Sequence, residues 1–107
     1  DEPQFQFSAF PRNEYIRSTN SGATWGTISY SGSIGKFVNP SDYDDFGNRM
    51  YAAGSGGQYI RWNNPQTGSS FTPVSIAAFN SSQVSTVFAS PYTLNRIFFG
   101  TDGGRIV

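Results

Sequence analysis

The chain has no cysteine and no histidine among its 107 residues. Without cysteine it can form no disulfide, no thiolate metal site and no thiol nucleophile, and without histidine it lacks the commonest general base and transition-metal ligand. Serine-triad and cysteine-dependent nucleophilic catalysis are therefore excluded for this sequence.

Charge is also scarce. Charged residues make up 13% of the chain, and seven basic side chains balance seven acidic ones. No basic surface is expected, so we expect no nucleic-acid partner. No apolar run is long enough to span a membrane and no signal peptide is recognisable, so we expect no membrane insertion.

Aromatic and turn-forming residues dominate instead. Aromatic side chains reach 17%, and glycine, serine, threonine and asparagine fill much of the remainder, a mixture typical of short strands and tight turns. No window has helical spacing over ten or more residues, so we predict no helix. The longest predicted loop covers residues 41–48. Strands are predicted over residues 4–10, 14–17, 25–30, 34–38, 49–54, 58–62, 71–75, 84–89, 96–100 and 105–107.

An eight-residue turn, residues 18–25, is the clearest local motif, and we call it the first octet. Ser18 and Asn20 have short side chains that can bind neighbouring backbone N–H groups. Gly22 can adopt a positive φ without strain. We expect Asn20 to accept backbone hydrogen bonds within the turn, and Trp25 to be largely buried against its own hairpin.

The first octet resembles the Asp-box, or BNR repeat, whose pattern is Ser/Thr-x-Asp-x-Gly-x-x-Trp/Phe. Ser18, Gly22, Thr24 and Trp25 match it, whereas Asn20 stands where the family has aspartate. A weaker second octet, residues 64–71, keeps Gly68 and Phe71. The resemblance implies a structural turn between the third and fourth strands of a β-propeller blade, away from any active site.

The octets belong to an internal repeat. Gly22 and Gly68 lie 46 residues apart, and the Tyr-Ile-Arg sequence at residues 15–17 recurs 44 residues later at 59–61. A period of about 44–47 residues made of short strands predicts four-stranded antiparallel propeller blades. We therefore predict an all-β chain that is an incomplete propeller, divided into a partial blade over 4–30, a blade over 34–75 and a partial blade over 84–107.

Each group of residues that could bind a metal or act in catalysis also has a simpler structural explanation. Asp42, Asp44 and Asp45 with Ser41 could offer oxygens to Ca²⁺, but their spacing does not fit an EF-hand, and an Asp-rich turn is the preferred interpretation. No acidic pair suited to glycoside hydrolysis can be singled out. The arginines recur at the repeat spacing, which favours strand-edge positions over one cluster; they are Arg17, Arg49, Arg61, Arg96 and Arg105. No catalytic residue, cofactor site or metal site is predicted.

The aromatic residues divide into two expected groups. Those that could face a ligand are Tyr43, Tyr59, Trp62 and Tyr92, with Tyr30 as a further candidate. Those expected in the core between blades are Trp25, Phe37, Phe71, Phe88, Phe98 and Phe99. Residues 80–82 form an Asn-x-Ser sequon, which matters only in a secreted eukaryotic protein.

The sequence favours a non-catalytic interaction module of an extracellular or cell-surface propeller protein that binds a protein or glycan through its loops. Two alternatives stay open: part of a propeller glycoside hydrolase or sialidase whose catalytic residues lie elsewhere, and a ring assembled from several copies. The expected partners are accordingly other blades, in a longer polypeptide or a homo-oligomer. An incomplete propeller should not exist as a compact closed monomer.

Overall fold

The computed structural model describes residues 4–9, 12–30 and 38–107. Within these ranges the chain forms nine β-strands in three antiparallel sheets, with no α-helix. The predicted all-β class is confirmed. The same ranges contain no helix of the length and apolar character needed to cross a membrane.

Sheet 1 contains three strands, β1 (Gln6–Ala9), β2 (Glu14–Ser18) and β3 (Gly26–Ser29), in the order β1-β2-β3. The first octet joins β2 to β3. Alternation places every second side chain on one face, so Tyr15 is buried whereas Glu14 is exposed.

Sheet 2 is a four-stranded meander of β4 (Ser41–Asp44), β5 (Arg49–Ala53), β6 (Gln58–Asn63) and β7 (Ser70–Ser75). The prediction of a loop over residues 41–48 was wrong for its first half. Residues 41–44 pair in continuous register with β5, from Ser41 opposite Ala52 to Asp44 opposite Arg49. This pairing outweighs the low strand propensity of aspartate. Most of the strand predicted over 34–38 lies outside the described residues.

Sheet 3 has two strands, β8 (Val84–Ala89) and β9 (Ile97–Thr101), and Ile106 bridges to Gly100 at the outer edge of β9. A 3₁₀-helix, Ala77–Phe79, lies in the connection from sheet 2 and was not predicted. Phe79 is fully buried between the two sheets, so the short helix delivers an aromatic side chain to the core.

Sheet 2 packs between the other two, because alternate side chains of β5 and β6 point to opposite neighbours. Met50 and Trp62 form one core with Tyr15 of sheet 1. The second core lies between sheets 2 and 3. Its buried members are Tyr51, Ala53, Phe79, Val84 and Phe99.

The strand registers identify which positions in the three sheets are equivalent to one another. Tyr15 lies opposite Ala9, Tyr59 opposite Ala53 and Ile106 opposite Gly100. Two residues along, Arg17 lies opposite Phe7 and Arg61 opposite Tyr51. The aromatic positions equivalent to one another are therefore Phe7, Tyr51 and Phe98.

The prediction of which aromatic residues lie in the core is only partly correct. Phe99 is buried and Phe71 packs in the core between sheets 1 and 2, but Phe88 and Phe98 are half-exposed. Both face away from sheet 2, and none of the described residues forms a sheet on that side. Phe37 lies outside the described ranges.

Candidate functional site

The first octet is held together by two side chains. Ser18 Oγ accepts hydrogen bonds from the backbone N–H groups of Gly22 (2.8 Å) and Asn20 (3.3 Å). Asn20 Oδ1 accepts from the backbone N–H of Thr24 at 2.9 Å and from the Ser18 hydroxyl at 2.9 Å. Gly22 has φ of 90°, in the region that a Cβ disfavours. The predicted roles of Asn20 and Gly22 within the turn are confirmed.

The prediction that Trp25 is buried was wrong. It is 44% exposed, and its indole Nε1 donates to Gly22 O at 3.0 Å, so the ring lies over the turn with one side in solvent. Phe71, at the equivalent place in the second octet, stacks on Trp62 with ring centroids 5.1 Å apart. The difference has a physical cause: sheet 1 covers the Phe71 side of sheet 2, whereas no described sheet covers the Trp25 side of sheet 1.

The second octet is tied to sheet 1 by an arginine. Arg17 Nη1 donates to Pro65 O at 2.9 Å and to Gly68 O at 2.7 Å. A Cβ at Gly68 would stand 3.0 Å from Asn63 O, so close backbone approach explains this glycine. At the equivalent position of sheet 2, Arg61 has a buried Nε with no hydrogen-bond partner among the described residues.

The four aromatics expected to face a ligand do not form one surface. Trp62 is 1% exposed and donates to Gly68 O at 3.0 Å, so its assignment was wrong; β6 is an interior strand whose Trp62 side packs on sheet 1. Tyr59 stacks on Phe99 with ring centroids 4.8 Å apart, between sheets 2 and 3. Tyr43 is half-buried, and Tyr92 is 89% exposed in the turn before β9.

Burial also sets the protonation of two phenols. It raises the pKa of Tyr15 to about 12, against a smaller lowering effect of a hydrogen bond with Asn39. Burial raises the pKa of Tyr59 as well, opposed by the nearby charge of Arg61. Both phenols therefore keep their protons to a higher pH than a solvent-exposed tyrosine does. Tyr15 Oη donates to Asn13 Oδ1 at 3.0 Å.

Two of the acidic side chains bind backbone groups. Asp42 accepts from the N–H groups of Tyr43 (2.9 Å) and Ala89 (2.8 Å), which links β4 to β8. Asp44 is buried, and its Oδ1 accepts from the two N–H groups of residues 46 and 47, whereas Oδ2 has no partner in the described part of the chain. The described residues contain no group of three or more acidic side chains that could hold a metal ion.

Two clefts were not foreseen from the sequence. One, which we call the edge cleft, has a volume of about 360 Å³ and lies between β1 and β4. Its apolar lining consists of Phe7, Tyr15, Tyr43 and Met50. Its polar lining consists of Ser8, Ser41 and Asp42. The packing of sheet 1 against sheet 2 brings these residues together, and no local pattern in the sequence indicates it.

The other, which we call the polar cleft, has a volume of about 550 Å³ and lies at the opposite end of the strands from the octets. It is formed by the β5–β6 turn, the end of β7 and the 3₁₀ connection. Gly56 packs tightly here, because a Cβ on it would stand 2.7 Å from Ser81 O. Asn80, the first residue of the sequon, is exposed at this cleft.

Comparison of the chain with models of protein families, with curated proteins and with solved structures found no match.

Proposed function

We propose that the chain is a non-catalytic interaction module, a segment of an extracellular or cell-surface β-propeller of the Asp-box type. In this proposal sheet 2 is one four-stranded blade, with the second octet between its third and fourth strands. Sheet 1 supplies the second to fourth strands of a blade, and sheet 3 the first two. The polar cleft, built from turns and a connection, is the proposed binding surface for a protein or glycan.

The observation that carries the proposal is the repeated way in which successive sheets interlock. Tyr15 of sheet 1 packs on sheet 2, and the register-equivalent Tyr59 of sheet 2 packs on sheet 3. Phe7 and Tyr51, likewise equivalent, face the next sheet in turn. A face-to-face stack of antiparallel sheets with one repeated interface is the geometry from which propellers are built.

The non-catalytic part of the proposal is supported by the contacts of the charged residues. Asp42 and Asp44 bind backbone N–H groups of turns and of a neighbouring strand. Arg17 binds carbonyls of the second octet, and Arg49 Nη1 donates to Asn95 Oδ1 at 3.2 Å. These groups stabilise the packing of strands and turns, which accounts for them without a substrate.

A ring of identical copies is disfavoured by the two outer faces of the stack. Sheet 3 exposes three apolar side chains on its outer side: Phe88 (53% exposed), Phe98 (44%) and Ile106 (86%). The outer face of sheet 1 presents the polar Gln6 and Ser8 beside the half-exposed Trp25. Joining copies head to tail would bury these two polar side chains against the aromatic groups of sheet 3, at a cost in desolvation that the single aromatic ring of Trp25 offsets only in part.

The proposal is tested with the purified chain against an array of sialylated and neutral glycans and against immobilised extracellular-matrix protein. Ala77 is exposed at the polar cleft, so Ala77→Arg should block the cleft and abolish binding without changing the melting temperature. Tyr92→Ala, at the other end of the strands, is the control and should bind normally. Absence of binding to every probe would refute the proposal.

The enzyme alternative has its own readout. Fluorogenic sialosides and hexosides should remain intact in the presence of the chain. Release of the fluorophore, retained after repurification and lost on heat denaturation, would favour the hydrolase alternative over an interaction module.

A further inference from the structure

Arg17 and Arg61 occupy the same place in two successive sheets. Arg17 on β2 and Arg61 on β6 lie two residues after Tyr15 and Tyr59, which are equivalent to each other. Residues two apart on a strand point to the same face of the sheet. Because Tyr15 packs on sheet 2 and Tyr59 packs on sheet 3, Arg17 faces sheet 2 and Arg61 faces sheet 3.

Only one of these two arginines has a hydrogen-bond acceptor among the described residues. Arg17 Nη1 donates to Pro65 O at 2.9 Å and to Gly68 O at 2.7 Å, so the arginine of sheet 1 holds the octet of sheet 2. Arg61 donates no hydrogen bond within the same ranges, although its Nε is buried. A buried N–H group without an acceptor costs free energy. The position of Arg61 therefore calls for an acceptor that the described residues do not supply.

The repeat indicates where that acceptor would lie. Ile106 is the position of sheet 3 equivalent to Tyr59 of sheet 2. Val107 and Phe99 exchange two backbone hydrogen bonds, of 2.8 and 2.9 Å, so the chain runs beside β9 here as the beginning of a third strand. A turn after a third strand of sheet 3 would lie beside Arg61, as the second octet lies beside the arginine of sheet 1.

We infer that Arg61 binds a third octet, a turn between the third and fourth strands of sheet 3, through two backbone carbonyl groups of that turn. A guanidinium suits this role, because it is always charged and its donors form a planar fork. Hydrogen bonds from a charged donor are also stronger than those between neutral groups. The arginine of each sheet would then hold the octet of the next sheet. The inference rests on the proposed arrangement of blades, but its site is separate from the polar cleft.

The test is a chain extended directly after Val107 by a copy of residues 61–75, which contain the end of β6, the second octet and β7. The copy is in register, because Val107 is equivalent to Ile60. The added hairpin should raise the melting temperature. Arg61→Met should lower the melting temperature of the extended chain by at least about 10 °C, and that of the 107-residue chain by less than about 5 °C.

A second extension separates the effect of the octet from that of the added strands. In it the copy of residues 64–69 is replaced by Asn-Gly, so that a two-residue turn joins the same two strands. Arg61→Met should lower the melting temperature of this chain by less than about 5 °C. Arg17→Met is the matched control and should lower the melting temperature of all three chains by about 10–15 °C. Equal losses from Arg61→Met in the two extended chains would overturn the inference.

Hydrogen exchange of the guanidinium groups, followed by NMR, reports the contact directly. Exchange at Arg61 should slow at least about tenfold in the chain that carries the copied octet, and should stay fast in the chain that carries Asn-Gly. Exchange at Arg17 should already be slow in the 107-residue chain, because its acceptors are present there. Unchanged exchange at Arg61, or failure of the added hairpin to pair with β9, would contradict the inference.

An anion is the other class of acceptor for a buried guanidinium, and inorganic phosphate is its probe. Phosphate should leave the exchange of Arg61 unchanged in the 107-residue chain at constant ionic strength. Slowing by phosphate to the extent expected for the octet would assign Arg61 to an anion site and overturn the inference. Arg61→Met should not alter binding of glycans or proteins at the polar cleft, so the two proposals can fail separately.

Discussion

Replacing Arg17 by methionine should destabilise the chain by about 2–3 kcal/mol. The guanidinium joins sheet 1 to the second octet through two short hydrogen bonds, to Pro65 O and Gly68 O. A hydrogen bond from a charged donor contributes about 1.5–3 kcal/mol when partly buried. The expected loss lies below the sum for two such bonds, about 3–6 kcal/mol, because Gly68 O keeps its bond from Trp62 Nε1 and methionine keeps much of the apolar stem.

Urea denaturation followed by tryptophan fluorescence measures this loss, and the melting temperature should fall by about 10–15 °C for a chain of this size. Arg61→Met is the matched control, since Arg61 occupies the equivalent position 44 residues later and its buried Nε has no partner in the described ranges. It should cost less than about 1 kcal/mol. Equal losses in the two variants would refute the assignment of Arg17 as the bond between sheet 1 and the octet.

Three other predictions follow from single contacts. Trp25→Ala should cost about 1–2 kcal/mol by urea denaturation, below the ~3–5 kcal/mol of a buried tryptophan. The ring is half in solvent, and within the described ranges its indole N–H donates to Gly22 O alone; a loss above about 3 kcal/mol would contradict this. Asp44→Ala should cost about 1–3 kcal/mol, because it leaves two backbone N–H groups of the turn without an acceptor. Asp44→Asn keeps an acceptor oxygen and should cost less than about 1 kcal/mol. Equal losses in the two variants would show that the charge of the carboxylate matters instead. Tyr15 should make stability fall above pH 10, because the unfolded phenol ionises there while the folded one keeps its proton to about pH 12. The loss of about 3 kcal/mol should shrink in Tyr15→Phe when unfolding is measured between pH 9 and pH 12.

Features fixed by a few neighbouring residues could be predicted from the sequence. The geometry of the first octet depends on Ser18 and Asn20, whose side chains accept hydrogen bonds from the backbone N–H groups of Gly22 and Thr24, each four residues further along. The strands alternating aromatic and polar side chains were found for the same reason, because period-two patterning is local. The all-β class followed from both.

Features fixed by pairing across the chain could not be predicted. Residues 41–44 become a strand only because β5 is there to pair with them. Trp62 looks like a surface aromatic in sequence, but Tyr15 and Phe71 enclose it from two directions. The edge cleft combines residues from β1, β2, β4 and β5, whose approach no short window contains.

In a repeated stack of sheets, the energetic role of a residue depends on whether a neighbouring sheet covers its side, and the repeated sequence does not carry that information. Phe71 and Trp25 occupy equivalent places, yet only Phe71 is packed between sheets. Tyr51 is 4% exposed against sheet 3, whereas its equivalent Phe98 is 44% exposed on the outer side of that sheet. Covering Phe98 with another sheet should therefore bury as much apolar surface as Tyr51 already buries, which makes each uncovered side of the stack a surface with its own affinity for β-structure.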